Sequence, residues 1–184
     1  MSVVLLLEPA SAAAGDAPSL AWGLPESKFE HRAGMITKAE VRGVAIGKLG
    51  LPPTGVLWDV GAGSGSVAIE RSAEDADRIR RNAAAHGASV TVVEGEAPAV
   101  FAGLPPPDRI FVGGGGIDVL QHALAMLRPG GRMVATHVLV DRAAAAWRLL
   151  GNTAQVSVAR SASIADGFRL EAENPVFISW GPTP

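Results

Sequence analysis

The chain has 184 residues with a formal net charge of -2, and its composition, 48% hydrophobic and 18% charged residues, is that of a globular protein rather than a disordered one. Its length fits one domain in which helices cover both faces of a sheet, and its near-neutral charge excludes a basic field that would hold nucleic acid. The absence of cysteine excludes disulfides, thiolate nucleophiles and zinc-thiolate sites. A chain without cysteine is typical of a cytoplasmic protein.

The N-terminal region is predicted to be separate from the main domain. Residues 2–8 favour one β-strand that ends at Pro9, and an Ala-, Ser-, Gly- and Pro-rich linker follows to about Trp22. The apolar run Val3–Leu7 is too short to span a bilayer and lacks the basic flank of a signal peptide. The isolated strand is either the end of a preceding domain or a strand that pairs with another subunit. We therefore predict a strand plus linker over 1–22 and one domain over 23–184.

The first helix is predicted from a capping box. Thr37-x-x-Glu40 places a hydroxyl and a carboxylate where each can bond the other residue's backbone N–H. Gly50, followed by two prolines, is expected to end the helix at about Leu49. Its predicted apolar stripe consists of Val41, Val44, Ala45 and Leu49.

A glycine-rich turn follows the first strand of the domain, Val56–Val60. The turn Gly61–Gly65 has glycine at every second position, and apolar residues resume at Val67 as the expected start of a helix. The G-x-G-x-G spacing is one residue shorter than the dinucleotide fingerprint, and Asp59 stands two positions before the first glycine. This combination favours S-adenosylmethionine (SAM) over NAD, with a purely structural turn as the alternative.

The remaining elements alternate between strands and helices. In chain order they are a helix to His86 with a C-cap there, strands Ser89–Glu94 and Arg109–Val112, a glycine turn Gly113–Gly116, a helix Ile117–Leu127, a strand Arg132–Val140, a helix from Asp141 to Leu150, and strands Ala154–Arg160 and Val176–Trp180. The order predicts an α/β fold with a mainly parallel sheet, and the last two strands, with no helix between them, predict an antiparallel C-terminal pair.

One connection is too short for this scheme. Only six residues separate Gly65 from the next helix start, Ser72, whereas a crossover to a second parallel strand needs roughly 20 or more. Either one long helix leads directly to Ser89–Glu94, or a strand-bearing segment is missing near Glu70 and Arg71. We favour the missing segment, because skipping a neighbour would leave the central strand with an unpaired edge.

Five blocks of the sequence, in their order and spacing, carry a resemblance to a known family. They are Phe29, Met35–Arg42, Leu57–Val67, Glu94–Pro98 and Phe111–Gly115. From about Gly23 to Trp180 the chain resembles the precorrin-6Y C5,15-methyltransferase (decarboxylating) family of cobalamin (vitamin B12) biosynthesis, a branch of porphyrin metabolism. The similarity is to the C-terminal domain, which methylates carbon 15 and decarboxylates an acetate side chain.

The resemblance implies a class I (Rossmann-like) SAM-dependent C-methyltransferase. It also implies a precorrin (tetrapyrrole) substrate and a homo-oligomer such as a tetramer. The net charge and the short apolar run, independently of the resemblance, predict no nucleic-acid and no membrane partner. In one branch of the family this domain follows a carbon-5-methylating domain, so residues 2–8 would be the remnant of such a domain and the full-length protein a fusion.

The resemblance also implies the cofactor-binding residues. The residues around the methionine part of SAM would be Gly61, Ala62, Gly63, Ser64 and Gly65. Thr37 would lie over the cofactor, and Glu96 and Ala97 would lie at the adenine. The family's second strand ends in an acidic residue that binds the ribose hydroxyls, and no counterpart of this strand is evident. Glu70 is either that carboxylate or the family's glutamate on the helix that follows the glycine turn.

The implied substrate carries several carboxylates, which require cations. The candidates cluster around the first helix and are His31, Arg32, Lys38 and Arg42. The alternative for Lys38 and Arg42 is a solvated helix face. Gly113, Gly114 and Gly115 are expected to leave room for a flat macrocycle, with a flexible turn as the alternative.

The chemistry itself assigns no catalytic side chain and no metal, because the sulfonium of SAM is already activated. Three polar residues are predicted to be structural, namely Asp108, His122 and His137, and two tryptophans, Trp58 and Trp180, are predicted to pack in the core. The alternative functions are methylation of another small molecule, or SAM binding by a non-catalytic subunit.

Overall fold

The computed structural model describes residues 23–31, 36–61 and 67–182. The four α-helices in these ranges are α1 Ala39–Leu49, α2 Ala73–Ala85, α3 Ile117–Met126 and α4 Val140–Leu150. The nine strands are β1 Leu57–Val60, β2 Val67–Glu70, β3 Thr91–Glu94, β4 Arg109–Val112, β5 Arg132–His137, β6 Asn152–Val156, β7 Ala159–Ile164, β8 Gly167–Ala172 and β9 Val176–Pro182. Short 3₁₀ turns lie at Glu26–Lys28 and Phe101–Gly103.

Seven strands form one sheet in the order β3-β2-β1-β4-β5-β9-β6. The strands β1 to β5 run parallel, and β9 inserts antiparallel between β5 and the edge strand β6. The prediction of a mainly parallel sheet with an antiparallel C-terminal pair is confirmed. All five parallel strands therefore end at the same edge, where open α/β folds bind ligands.

Helices cover both faces of this sheet. On one face α3, α4 and the turn at Phe101 pack over a cluster that includes Trp58, Ile110 and Met133, all fully buried. On the other face the apolar side of α1 packs over Leu57, Phe111 and Val134, and α2 packs over Ala68. Trp58 is a core residue, as predicted, with its ring centroid 5.2 Å from that of Phe101.

The prediction that a strand-bearing segment is missing is wrong. Val67–Glu70 is a strand and not the start of a helix, and it pairs in parallel with both β1 and β3, so the edge of β1 is filled. The apolar, β-branched run suits a buried strand, and the helix begins only at Ala73, after its N-cap Ser72. The unusual feature is the connection itself, since only residues 61–66 join β1 to β2 where a dozen or more are common.

The start of α1 also differs from the prediction. The helix begins at Ala39 with Lys38 as its N-cap, and no side chain of its own caps it. Glu26 replaces the predicted capping box, because its Oε1 accepts a hydrogen bond of 2.9 Å from the Ala39 N–H. Glu40 instead forms an ion pair with Arg160, 2.6 Å apart. Val44, predicted in the apolar stripe, is 37% exposed.

A hairpin was not predicted. The expected strand Ala154–Arg160 is divided between β6 and β7, and β7 pairs with β8 as a separate two-stranded sheet. Arg160 anchors this hairpin through ion pairs with both Glu26 and Glu40. Upstream, β5 ends at His137 rather than at Val140, and α4 begins at Val140.

Some predictions fall on residues outside the described ranges. The N-terminal strand and linker, 1–22, lie there, as do Arg32 and the turn residues Ala62–Gly65. In the ranges that are described, every helix is too short or too polar to cross a lipid bilayer.

Candidate functional site

The site lies at the carboxyl edge of the parallel strands. Gly61 follows β1, and Gly113 and Gly114 follow the neighbouring strand β4. A Cβ atom on Gly61 would lie 3.3 Å from the backbone nitrogen of Gly114, and Gly61 has φ +74°, a conformation that L side chains rarely adopt. Gly61, the first residue of one glycine turn, therefore lies beside Gly114 of the other.

The strands β2 and β3 bring carboxylates to this edge. Glu70 and Glu94 stand opposite each other at the ends of the two strands, and the Glu70 carbonyl accepts a hydrogen bond of 3.0 Å from the Gly95 N–H. Glu96 and Ala97 follow directly after β3. Glu70 is thus at the tip of the second strand, the position for which sequence reasoning found no counterpart.

A cleft of about 420 Å³ opens beside the glycine turns. It is lined by Ile36, Thr37, Lys38, Gly113, Gly114, Thr136, His137, Val138, Leu139, Arg142, Glu173, Asn174 and Val176. The cleft thus joins the start of α1, the ends of β4 and β5 and the segment before β9. A Cβ atom on Gly114 would meet no atom within 4 Å, so this glycine faces open space.

Three of the four predicted cations lie in the described ranges, and they have different positions. Lys38 lines the cleft and pairs with Glu173, with 3.6 Å between Nζ and Oε2. Arg42 does not line the cleft, because it is 3% exposed and its guanidinium donates to the backbone carbonyls of Thr37 and Leu24. Burial lowers the pKa of Arg42. His31 is half-buried, and its Nδ1 has no partner in the described part of the chain.

His137 and Arg142 line both this cleft and a second cavity of about 240 Å³. His137, predicted to be structural, ends β5 and is 6% exposed, and its Nε2 has no hydrogen-bond partner within the described residues. Burial lowers the pKa of His137, and the charge of Arg142 lowers it further, so the imidazole is neutral near pH 7.

Sequence reasoning missed these two residues and also Glu173 and Asn174. Thr136 and His137 occupy the last two positions of a buried strand, which was a usable signal, since polar residues at the carboxyl ends of parallel strands often bind ligands. Nothing in the local sequence indicates that Glu173 and Asn174 return to the cleft, because β9 brings them there by pairing with β5.

Asp59 is the other unusual polar side chain near the edge. It is fully buried on β1, and neither carboxylate oxygen has a partner among the described residues. Burial raises the pKa of Asp59 well above 3.8, and the charge of Glu70 raises it further.

His86, His122 and Asp108 have structural contacts. His86 caps α2, as predicted, and its Nε2 lies 2.9 Å from the Lys28 carbonyl oxygen. His122 Nδ1 lies 2.9 Å from the carbonyl oxygen of Asp118 on its own helix. Asp108 accepts a hydrogen bond of 2.8 Å from the Val56 N–H.

Comparison with known proteins gives consistent matches. A family model described as precorrin methyltransferase domain matches residues 27–181. The precorrin-6Y C(5,15)-methyltransferase [decarboxylating] of a Sinorhizobium species is 42% identical over 166 residues, which are 79% of this chain and 40% of that protein. A probable cobalt-precorrin-6B C(15)-methyltransferase (decarboxylating) of Pyrobaculum calidifontis is 38% identical, over 85% of this chain and 93% of that protein.

Solved structures agree with these matches. The C-terminal domain of precorrin-6Y C5,15-methyltransferase from Rhodobacter capsulatus is 27% identical, with a TM-score of 0.78 over 87% of this chain and 97% of that one. A structure titled precorrin 8W decarboxylase, from Methanobacterium thermoautotrophicum, has a TM-score of 0.77 at 27% identity, over 86% and 98% of the two chains.

Proposed function

Because the chain belongs to the precorrin methyltransferase family, we propose that it is a SAM-dependent methyltransferase that methylates carbon 15 of a precorrin and decarboxylates an acetate side chain, in cobalamin biosynthesis. One observation supports this proposal more than any other. Gly61, directly after β1, lies beside Gly114, which lines the 420 Å³ cleft. A methyl donor on one side of this contact would lie next to an acceptor on the other.

The residues at the ends of β1, β2 and β3 fit SAM. Gly61, with its positive φ and no Cβ, lets a ligand approach the backbone closely. The Glu70 carboxylate stands at the strand tip, where it can accept hydrogen bonds from ribose hydroxyls. Glu96 and Ala97 follow β3 and would flank the adenine, and Thr37 would close over the cofactor from the segment before α1. When bound, SAM supplies a methyl group on a sulfonium.

The cleft residues would hold and orient the acceptor. Gly114 leaves space for a flat ring, and the apolar side chains of Val138 and Leu139, which are more than half exposed, can contact its surface. Lys38 would attract a carboxylate, although it must share its charge with Glu173. The protein then acts mainly by holding the meso carbon in line with the methyl group and by excluding water. As carbon dioxide leaves, the electron pair of the broken C–C bond stays with the conjugated system.

The test is turnover with the purified chain. We would incubate it with a precorrin that lacks the carbon-15 methyl group and with SAM, and measure product mass and released carbon dioxide. The expected product gains one methyl group at carbon 15 and loses one carboxyl group. Methylation without carbon dioxide release would support a methyltransferase acting elsewhere on the molecule. Stabilisation of the fold by SAM with neither reaction would indicate a non-catalytic SAM-binding subunit.

We also propose that the chain forms a homo-oligomer through the β7–β8 hairpin. Three large apolar side chains, Ile164, Phe168 and Leu170, are each more than half exposed on this hairpin. Exposed apolar patches of this kind mark interaction surfaces. Light scattering should show an oligomer for the wild type and a smaller species for Phe168→Glu. A monomeric wild type would contradict the proposal.

A further inference from the structure

The second cavity extends the 420 Å³ cleft, the proposed substrate site, toward α3 and α4. Its volume is about 240 Å³, and it is lined by Gly115, Gly116, Ile117, Leu120, His137, Asp141, Arg142, Ala145 and Ala146. His137 and Arg142 stand at the junction because they line both spaces. Small and apolar side chains form most of the remaining wall, so a polar ligand group entering here would meet these two residues first.

His137 has an unused hydrogen-bonding atom at this junction. The residue is more than nine-tenths buried, and its Nε2 has no partner within the part of the chain that the structure describes. An unsatisfied buried polar atom destabilises the folded state, so such atoms are rare in proteins and call for an explanation. A ligand atom that bonds Nε2 would remove this cost.

Arg142 has an available charge at the same junction. Its Nη1 makes one long contact, 3.5 Å from the carbonyl oxygen of Gly115, and no carboxylate in the described ranges forms an ion pair with it. Lys38, by contrast, is paired with Glu173, and Arg42 is buried and donates hydrogen bonds to backbone carbonyls. Asp141 shares the cavity wall but is exposed and makes no ion pair with Arg142 in the structure described. Among these cations, Arg142 is best placed to bind a ligand anion.

We propose that His137 and Arg142 form a subsite for one carboxylate side arm of the substrate. The ring would lie in the larger cleft, and the arm would reach past Gly115 to the junction. A guanidinium binds a carboxylate with two parallel hydrogen bonds, and the imidazole would bond the same group from the other side. This inference rests on the proposed function, because it assumes a carboxylated tetrapyrrole in the cleft. The two residues position the substrate and so fix its orientation.

Kinetics of single variants test the subsite. Arg142→Met should raise the KM for the precorrin about 10- to 100-fold, the loss expected for a charge-assisted hydrogen bond, and leave the KM for SAM unchanged. Arg142→Lys should recover part of the loss. His137→Leu should also raise the precorrin KM, and His137→Gln, which places an amide near the former Nε2, should restore it in part. A merely structural role would not separate the two KM values or give this pattern of rescue.

The matched control is Arg148→Met, since Arg148 is an exposed arginine on the same helix. It should leave both KM values within twofold of the wild type. The proposal is overturned if Arg142→Met and His137→Leu also leave the precorrin KM within twofold of the wild-type value.

A binding measurement separates failure of the subsite from failure of the proposed function. If the wild type turns over no precorrin, titration with uroporphyrin, a stable tetrapyrrole with acetate and propionate arms, replaces the kinetics. Weaker uroporphyrin binding by Arg142→Met than by Arg148→Met would support the carboxylate subsite without the methyl transfer. Equal binding by these two variants and the wild type would reject it.

Discussion

The carboxyl edge of the sheet has two halves of different chemical character. The half at β1, β2 and β3 presents a glycine with positive φ and the carboxylates Glu70 and Glu96. The half at β4 and β5 presents an open cleft lined by two cations, Lys38 and Arg142, and one carboxylate, Glu173. An acidic half suits a ligand with hydroxyls and positive charge, and a basic half suits a polyanion. Charge complementarity would therefore keep donor and acceptor on opposite sides of the contact between Gly61 and Gly114.

The largest expected effect is on the half at β4 and β5, the proposed acceptor half. Gly114→Leu should lower kcat/KM for the precorrin about 100-fold or more, because the side chain would fill the cleft and displace the ring. Binding of S-adenosylhomocysteine, measured by calorimetry, should change by less than threefold. Gly103→Leu is the control, since a Cβ atom there also meets no atom within 4 Å. If Gly114→Leu weakens cofactor binding and leaves the precorrin KM unchanged, the assignment of donor and acceptor to the two halves is reversed.

The next effect is on the half at β1, β2 and β3, the proposed donor half. Glu70→Gln should weaken SAM binding roughly 10- to 50-fold, because the charge-assisted hydrogen bonds to the ribose become neutral ones. The precorrin KM should not change. Glu171→Gln, on the exposed hairpin, provides the control in the same calorimetric titration. An unchanged SAM affinity in Glu70→Gln would remove Glu70 from the cofactor site.

A third variant tests whether Arg42 belongs to either half. Arg42→Met should lower the free energy of unfolding by about 2–3 kcal/mol, because the carbonyls of Thr37 and Leu24 lose a charged donor. The precorrin KM of the folded enzyme should stay near the wild-type value. Urea denaturation and steady-state kinetics on the same preparation measure both quantities, with Arg81→Met as an exposed control. A raised precorrin KM at normal stability would return Arg42 to the substrate site.

The smallest effect concerns the anchor of the hairpin beside the acceptor half. The Arg160 guanidinium lowers the pKa of Glu26 from 4.5 to about 2. The ion pair between Glu26 and Arg160 therefore stabilises the fold above pH 4.5, and this stabilisation is lost as the pH falls from 4.5 toward 2. Solvent screening limits it to below about 1 kcal/mol. The Tm of Arg160→Gln should fall less steeply than that of the wild type over this pH range, and parallel curves would contradict the ion pair.

The sequence predicted the parallel sheet well, because alternating apolar runs and glycine-terminated helices are local signals. It failed at Val67–Glu70, where a short connection made a strand resemble the start of a helix. It also failed at the capping box, because Glu26, distant in sequence, caps α1 in place of Thr37. Local patterns contain no information on such distant partners.

The same limit explains the candidate site. The glycines were predicted from the glycine-rich turns and Lys38 from the carboxylates of the implied substrate, and the structure places Lys38, Gly113 and Gly114 on one cleft. The importance of His137 and Arg142 depends on their surroundings. In the described residues, nothing bonds the Nε2 of His137 and no carboxylate pairs with the Arg142 guanidinium. Only the packing of α4 against the end of β5 reveals these properties.

A crystal structure of the chain with S-adenosylhomocysteine tests the division of the edge most directly. We predict the amino-acid part of the ligand at Gly61, its ribose hydroxyls within hydrogen-bond distance of the Glu70 carboxylate, and its sulfur facing the cleft beside Gly114. A ligand bound among Lys38, His137 and Arg142, with Gly61 and Glu70 untouched, would contradict the account.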